Sequence, residues 1–225
     1  MRPRALAAPL TAGMALALAL SACAAEPTPS PRPDCPTAAP TSVEAQSILQ
    51  DAGFATLTVS GGASGSFTIE LFGDAAPIAT ANFVNLVRCG YYDGVTFHRV
   101  LAGFVIQAGD PQTRTNRGDF PGLSTGGPGY GFPIEPPADG LRYDPYVVAM
   151  ANNGQTNGGQ FFIDLADIDD ALRSAGVYTI LGEVTAGTDV VDAIATVPVN
   201  DPRVGVPLTP VVIDTIEISS EAPDG

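Results

Sequence analysis

The chain has 225 residues, 45% of them hydrophobic and 15% charged, which suffices for one domain with a sizeable core plus extensions. All ten basic residues are arginines against 24 acidic ones, and the formal net charge of -14 makes nucleic acid and anionic membrane surfaces poor partners. The single histidine, His98, excludes a multi-histidine metal site and a second imidazole for a hydrolase triad, so no metal or cofactor is expected.

In chain order, Arg2 and Arg4 precede an apolar run from Leu10 to Leu20 that is short for a bilayer span. It ends in Leu20-Ser21-Ala22-Cys23, which resembles the lipobox of bacterial lipoproteins. That resemblance implies a signal peptide over residues 1–22 and a diacylglycerol on Cys23, holding an extracytoplasmic domain to the bacterial cell membrane. An ordinary secretory signal cut near Ala22 is the alternative. Residues 23–53 read as a tether, because Pro27, Pro29, Pro31, Pro33, Pro36 and Pro40 sit among small polar residues. Val43 to Gln50 leaves room for a helical turn or two.

The folded domain is expected over residues 54–220, with 221–225 as a tail. Ala55 to Val59 and Ser66 to Phe72 alternate apolar and polar around Gly61-Gly62 and Gly65, which predicts a hairpin. Pro77 opens a helix in which Ala79, Phe83, Leu86 and Val87 recur at helical spacing until Gly90. Two short strands follow within Phe97-His98-Arg99-Val100-Leu101-Ala102-Gly103-Phe104-Val105-Ile106-Gln107-Ala108-Gly109-Asp110, joined at Ala102-Gly103. Strand alternation puts Phe97 with Arg99 on one face, and Val105 with Gln107 on one face of the next strand. An arginine among apolar neighbours, with no carboxylate before Asp110, is either an edge residue reaching water or part of a site. His98 has apolar neighbours and reads as structural.

Residues 111–131 read as a Gly-rich loop. Strands are expected at Phe132 to Glu135, Tyr146 to Ala151, Gln160 to Leu165, Tyr178 to Val184 and Val211 to Ile218, with a short amphipathic helix from Thr188 to Ala195. Many short strands and only two helices argue a mainly β, antiparallel barrel.

The stretch Phe97–Asp110 and the later Val-Ala-Met-Ala-Asn-Asn-Gly-Gln-Thr-Asn-Gly-Gly-Gln-Phe-Phe-Ile ending at Ile163 together resemble the two signature segments of the cyclophilins, the peptidyl-prolyl cis-trans isomerases. Thr125-Gly126-Gly127-Pro128-Gly129-Tyr130 resembles bacterial members in particular. The resemblance implies a cyclophilin-like eight-stranded antiparallel β-barrel capped by two helices, acting as a monomer on X-Pro bonds of exported or cell-surface polypeptides. Arg99 would be the catalytic residue. Phe104, Val105, Phe162 and Leu172 would line a proline pocket, Gln107 and Asn152 would hold the substrate backbone, and Ala151, Gln160 and Tyr178 would stand close by.

Several residues depart from that pattern. Val105 stands where cyclophilins usually carry Met, the chain has no Trp, and Asp167 to Val177 carries an insertion that blurs the Leu172 match. These departures motivate an alternative, a cyclophilin-like module that binds proline-containing segments with little turnover. Once Cys23 carries lipid, Cys35 and Cys89 remain; they could pair in an oxidising setting or stay as free thiols.

Overall fold

The computed structural model describes residues 33–223, so the signal-peptide and Cys23 expectations and the start of the tether lie outside the described residues. Eight strands form one continuous antiparallel path: β3 (Arg99–Leu101), β4 (Val105–Ala108), β7 (Thr156–Asp164), β6 (Val147–Asn152), β8 (Ile180–Ala186), β2 (Gly65–Leu71), β1 (Phe54–Gly61) and β9 (Val211–Ser219). A two-residue strand, β5 (Phe132–Pro133), pairs with β7 off this path. The path curls until its ends meet. The backbone N–H groups of Gly94 and Phe97 donate to Ile213 and Val211 of β9, and Ile213 donates back to Val95.

Alternation explains why the sheet curls around an apolar interior. Ala55, Leu57 and Val59 of β1 point inward, and so do Phe67 and Ile69 of β2, Ile106 of β4, Val148 and Met150 of β6, and Phe161 and Ile163 of β7. On the outside of β1, Thr56 and Thr58 hydrogen-bond across to Thr68 and Ser66 at 3.0 Å each. The two expected helices, α2 (Pro77–Arg88) and α4 (Thr188–Ala195), press Phe83, Leu86, Val87, Val191 and Ile194 onto that core. Phe161 is its aromatic centre, with ring centroids 5.7–6.2 Å from those of Phe83, Tyr92 and Phe97.

Two further helices add to these two, the first where Val43 to Gln50 leaves room for a helical turn or two. The first, α1 (Ser42–Ile48), begins with a capping box in which Thr41 and Glu44 satisfy each other's backbone N–H groups. A short 3-10 turn, Leu49–Asp51, continues it, and Arg88 of α2 donates to Asp51 at 2.6 Å. Cys35 is joined to Cys89, just past the end of α2, by a disulfide. From Cys35 onward, therefore, the segment expected to be free tether lies on the barrel.

The second, α3 (Asp169–Ala175), occupies the insertion between β7 and β8. Asp169 anchors it, accepting from Arg173 at 2.8 Å, from Arg142 at 3.4 Å and from the backbone N–H of Tyr143 at 3.1 Å. Strand bounds shift by a few residues: β5 stops at Pro133, β7 starts at Thr156 and β8 starts at Ile180.

Candidate active site

A second apolar cluster lies outside the curl, on the opposite face from the core. It contains Val105, Tyr143, Val147, Ala149, Phe162, Ile168, Leu172 and Ile180, with Phe104, Ala151 and Tyr178 packed on it half-buried. Phe161 and Phe162 are thus divided between the two faces, as alternation requires. Phe97, expected on the face of Arg99, instead packs inside against Phe161, because β3 begins only at Arg99 and its alternation does not run back through His98. Strand pairing sets up one continuous cross-strand row: Arg99 opposes Gln107, Gln107 opposes Phe162, Phe162 opposes Ala149 and Ala149 opposes Ile180. The row carries a cation and an amide at one end and hydrocarbon along the rest.

Arg99 is half-buried and makes no ion pair with any described residue. Burial pulls its pKa below the ordinary arginine value, and Tyr178 opposes that pull. Its Nη1 donates to Gln107 Oε1 at 3.4 Å, and Gln107 Nε2 donates to Gln160 Oε1 at 2.9 Å. The guanidinium is therefore steadied by an amide, not by a carboxylate, and keeps donors for another acceptor.

The structure also places the other expected residues. Leu172 is buried in the outer cluster, delivered by α3, so the insertion keeps it packed with Phe162 and Val105. Tyr178 stacks edge-on against Phe162 with centroids 5.5 Å apart. Gln107, Thr125, Gly126, Ala151, Asn152 and Gln160 line a neighbouring groove of about 660 Å³. Asn152 is engaged within the chain: its Nδ2 donates to Val177 O at 2.9 Å and its Oδ1 accepts from Gly154 N at 2.9 Å. Each of these atoms keeps one further hydrogen-bonding position, a second N–H on Nδ2 and a second lone pair on Oδ1. His98 is buried, and burial lowers its pKa to about 4 against the opposing pull of Asp110.

The sequence reading missed one member. Tyr143 lies in the outer cluster, and its hydroxyl donates to Tyr178 O at 2.7 Å while accepting from Tyr178 N at 3.1 Å. Nothing in the local pattern around Tyr143 signals that clamp, because its partner lies 35 residues away.

Residues 54–218 match the family model described as cyclophilin type peptidyl-prolyl cis-trans isomerase/CLD. The chain belongs to the cyclophilin family. Among curated relatives, "Peptidyl-prolyl cis-trans isomerase B" of Streptomyces anulatus is 40% identical over 174 residues, covering 69% of this chain and 92% of its own length. "Probable peptidyl-prolyl cis-trans isomerase A" of Mycobacterium leprae is 41% identical over 176 residues, covering 69% and 87%. A crystal structure of a Cryptosporidium parvum cyclophilin superposes with a TM-score of 0.63 at 28% identity, covering 76% of this chain and 99% of that one. A second structure of the Cryptosporidium protein, solved in the presence of the dipeptide Ala-Pro, gives a TM-score of 0.62.

Proposed function

We propose that this cyclophilin accelerates rotation about X-Pro bonds in exported or cell-surface polypeptides, working as a monomer outside the cytoplasm on a lipid carried by Cys23. The observation that carries the isomerase reading is an Arg99 that makes no ion pair with a described residue and lies on the same cross-strand row as Phe162 and the outer apolar cluster. Uncatalysed X-Pro rotation takes tens to hundreds of seconds because twisting the amide destroys its resonance. At the twisted geometry the prolyl nitrogen regains a lone pair and becomes an acceptor. Arg99 supplies a donor for it, permanently charged and pre-aimed by Gln107. The proline ring would sit on Phe162, Val105, Leu172 and Phe104, an apolar surface that favours the less polar twisted amide over the planar one. No bond to the enzyme forms, so neither a nucleophile nor a general base is required.

The location rests on separate support. A disulfide between Cys35 and Cys89 suits an oxidising compartment, and the Arg2–Cys23 stretch has the layout of a lipoprotein leader. A protease-coupled assay on a proline tetrapeptide tests the activity. Acceleration by the purified domain supports it, whereas peptide binding without acceleration makes the protein a binding module. Fatty-acid labelling that survives in a Cys23→Ser variant would remove the anchor from the proposal.

A further inference from the structure

The amide pair beside Arg99 does not end at Gln160. Gln160 Nε2 donates to the backbone carbonyl of Gly126 at 2.7 Å. The N–H of that same residue donates to Asp110 Oδ2 at 3.2 Å, while Asp110 Oδ1 accepts from Gln112 N at 2.9 Å. Asp110 is 0% exposed. Its carboxylate sits so close to Gly126 that a Cβ there would lie 2.0 Å from Oδ1 and 2.8 Å from Cγ. Position 126 is therefore glycine because Asp110 occupies the space a side chain would need.

The chemistry of the two ends fixes the sense of everything between them. A carbonyl can only accept, so Gln160 must turn its NH2 toward Gly126 and its oxygen toward Gln107. Gln107 must then turn its NH2 toward Gln160 and its oxygen toward Arg99, which can only donate. The bonds lengthen from 2.7 Å through 2.9 Å to 3.4 Å along this line, so the firm anchor is at the Gly126 end. If either amide reversed, an NH2 group would face the guanidinium and push it off the row.

We propose that Asp110 is a positioning residue for Arg99, acting through the backbone of Gly126 to hold both glutamine amides in the sense that presents an oxygen to the guanidinium. Asp110 touches neither substrate nor Arg99 in this role, and the inference rests on the isomerase reading above. It predicts a chain of dependence: Asp110 matters for turnover only while Gln160 is there to pass the orientation on.

A double-mutant cycle on the full mature chain, read by isomerisation of a proline tetrapeptide, tests this. Asp110→Asn and Gln160→Met are each expected to lower kcat about five- to tenfold with KM changed less than about twofold, the size of one lost orienting hydrogen bond. The double variant is expected to lose no more than the weaker single variant. Asp110→Asn with unchanged kcat, or losses that multiply in the double variant, would overturn the proposal while leaving the isomerase reading intact. A parent chain without any acceleration would overturn both. Where Asp110→Asn does not fold, Gly126→Ala takes its place in the same cycle, because its Cβ would clash with the Asp110 carboxylate and displace the same residue's backbone.

Discussion

Arg99 and Gln107 face each other across the β3–β4 pair, and their 3.4 Å contact is the only side-chain hydrogen bond the guanidinium makes among the described residues. On the proposed mechanism, this half-buried cation meets its acceptor only in the reaction. Removing it with Arg99→Ala is expected to lower kcat about 100-fold, the scale of one preorganised transition-state donor. Arg99→Lys is expected to recover little, since an ammonium lacks the planar fork. Rates from the coupled assay, alongside unchanged thermal melting, check this; equal rates for parent and Arg99→Ala would exclude the mechanism.

Neighbouring phenylalanines provide a second test. Phe161 is packed inside the curl among Phe83, Tyr92 and Phe97, whereas Phe162 belongs to the outer cluster. Phe161→Ala should cost about 3–5 kcal/mol of stability through the cavity it leaves. Phe162→Ala should act chiefly on substrate, raising KM at a smaller cost in stability. Denaturant melts and kinetics on the two variants would refute the division of faces if their effects were reversed.

Stability should depend on pH through two buried groups of opposite sign. Asp164 is 0% exposed, and burial, aided by Asp144, pushes its pKa up to about 8. As pH rises from ~4, the ordinary carboxyl value, the unfolded chain gives up this proton while the fold retains it, so stability falls by about 1.4 kcal/mol per unit until the folded group ionises. His98, lowered to about 4, behaves in reverse. The unfolded imidazole holds its proton up to ~6.5, so stability rises with pH between the folded and unfolded values. From pH 4 to 6.5 the two slopes oppose each other, and from 6.5 to 8 the Asp164 slope stands alone, a fall of about 2 kcal/mol. Asp164→Asn should abolish that fall and expose the His98 rise; melts at pH 5, 6.5 and 8 that look alike in parent and variant would contradict it.

Cutting the covalent tie is the fourth test. Cys35 and Cys89 are 54 residues apart, and opening a loop of that size by Cys35→Ser with Cys89→Ser should cost about 2–4 kcal/mol. Isomerase turnover should persist, because neither cysteine belongs to the outer cluster or to the line from Arg99 to Asp110. Loss of activity at a temperature where the variant remains folded would show that the disulfide shapes the site.

The parts of this site that were legible in the sequence come from the two signature-like segments, with alternation adding only which neighbours within a strand share a face. Arg99, Gln107, Gln160 and Phe162 are named through the cyclophilin resemblance. Alternation separates Phe161 from Gln160 and Phe162 within β7, but it misplaces Phe97 beside Arg99, and the cross-strand row depends on a register that single strands do not show. Helices α1 and α3 were harder to read, since seven residues hold too few apolar positions to show a 3.6-residue period; α3 buries only Asp169 and Leu172. The capping box at Thr41–Glu44 was a local signal for α1, obscured by the prolines that precede it. The start of β7 was hidden by Gly158-Gly159, where Gly159 makes room for the Tyr91 ring. Long-range pairings such as Tyr143 with Tyr178, or Asp110 with Gly126, leave no local trace at all.

The bond between Cys35 and Cys89 also decides where mechanical tension travels. A pull on the chain ahead of Cys35 passes through the sulfurs into the end of α2 and bypasses everything enclosed between the two cysteines. Helix α1 and the β1–β2 hairpin lie inside that bypass, so they stay slack while the leading segment is stretched.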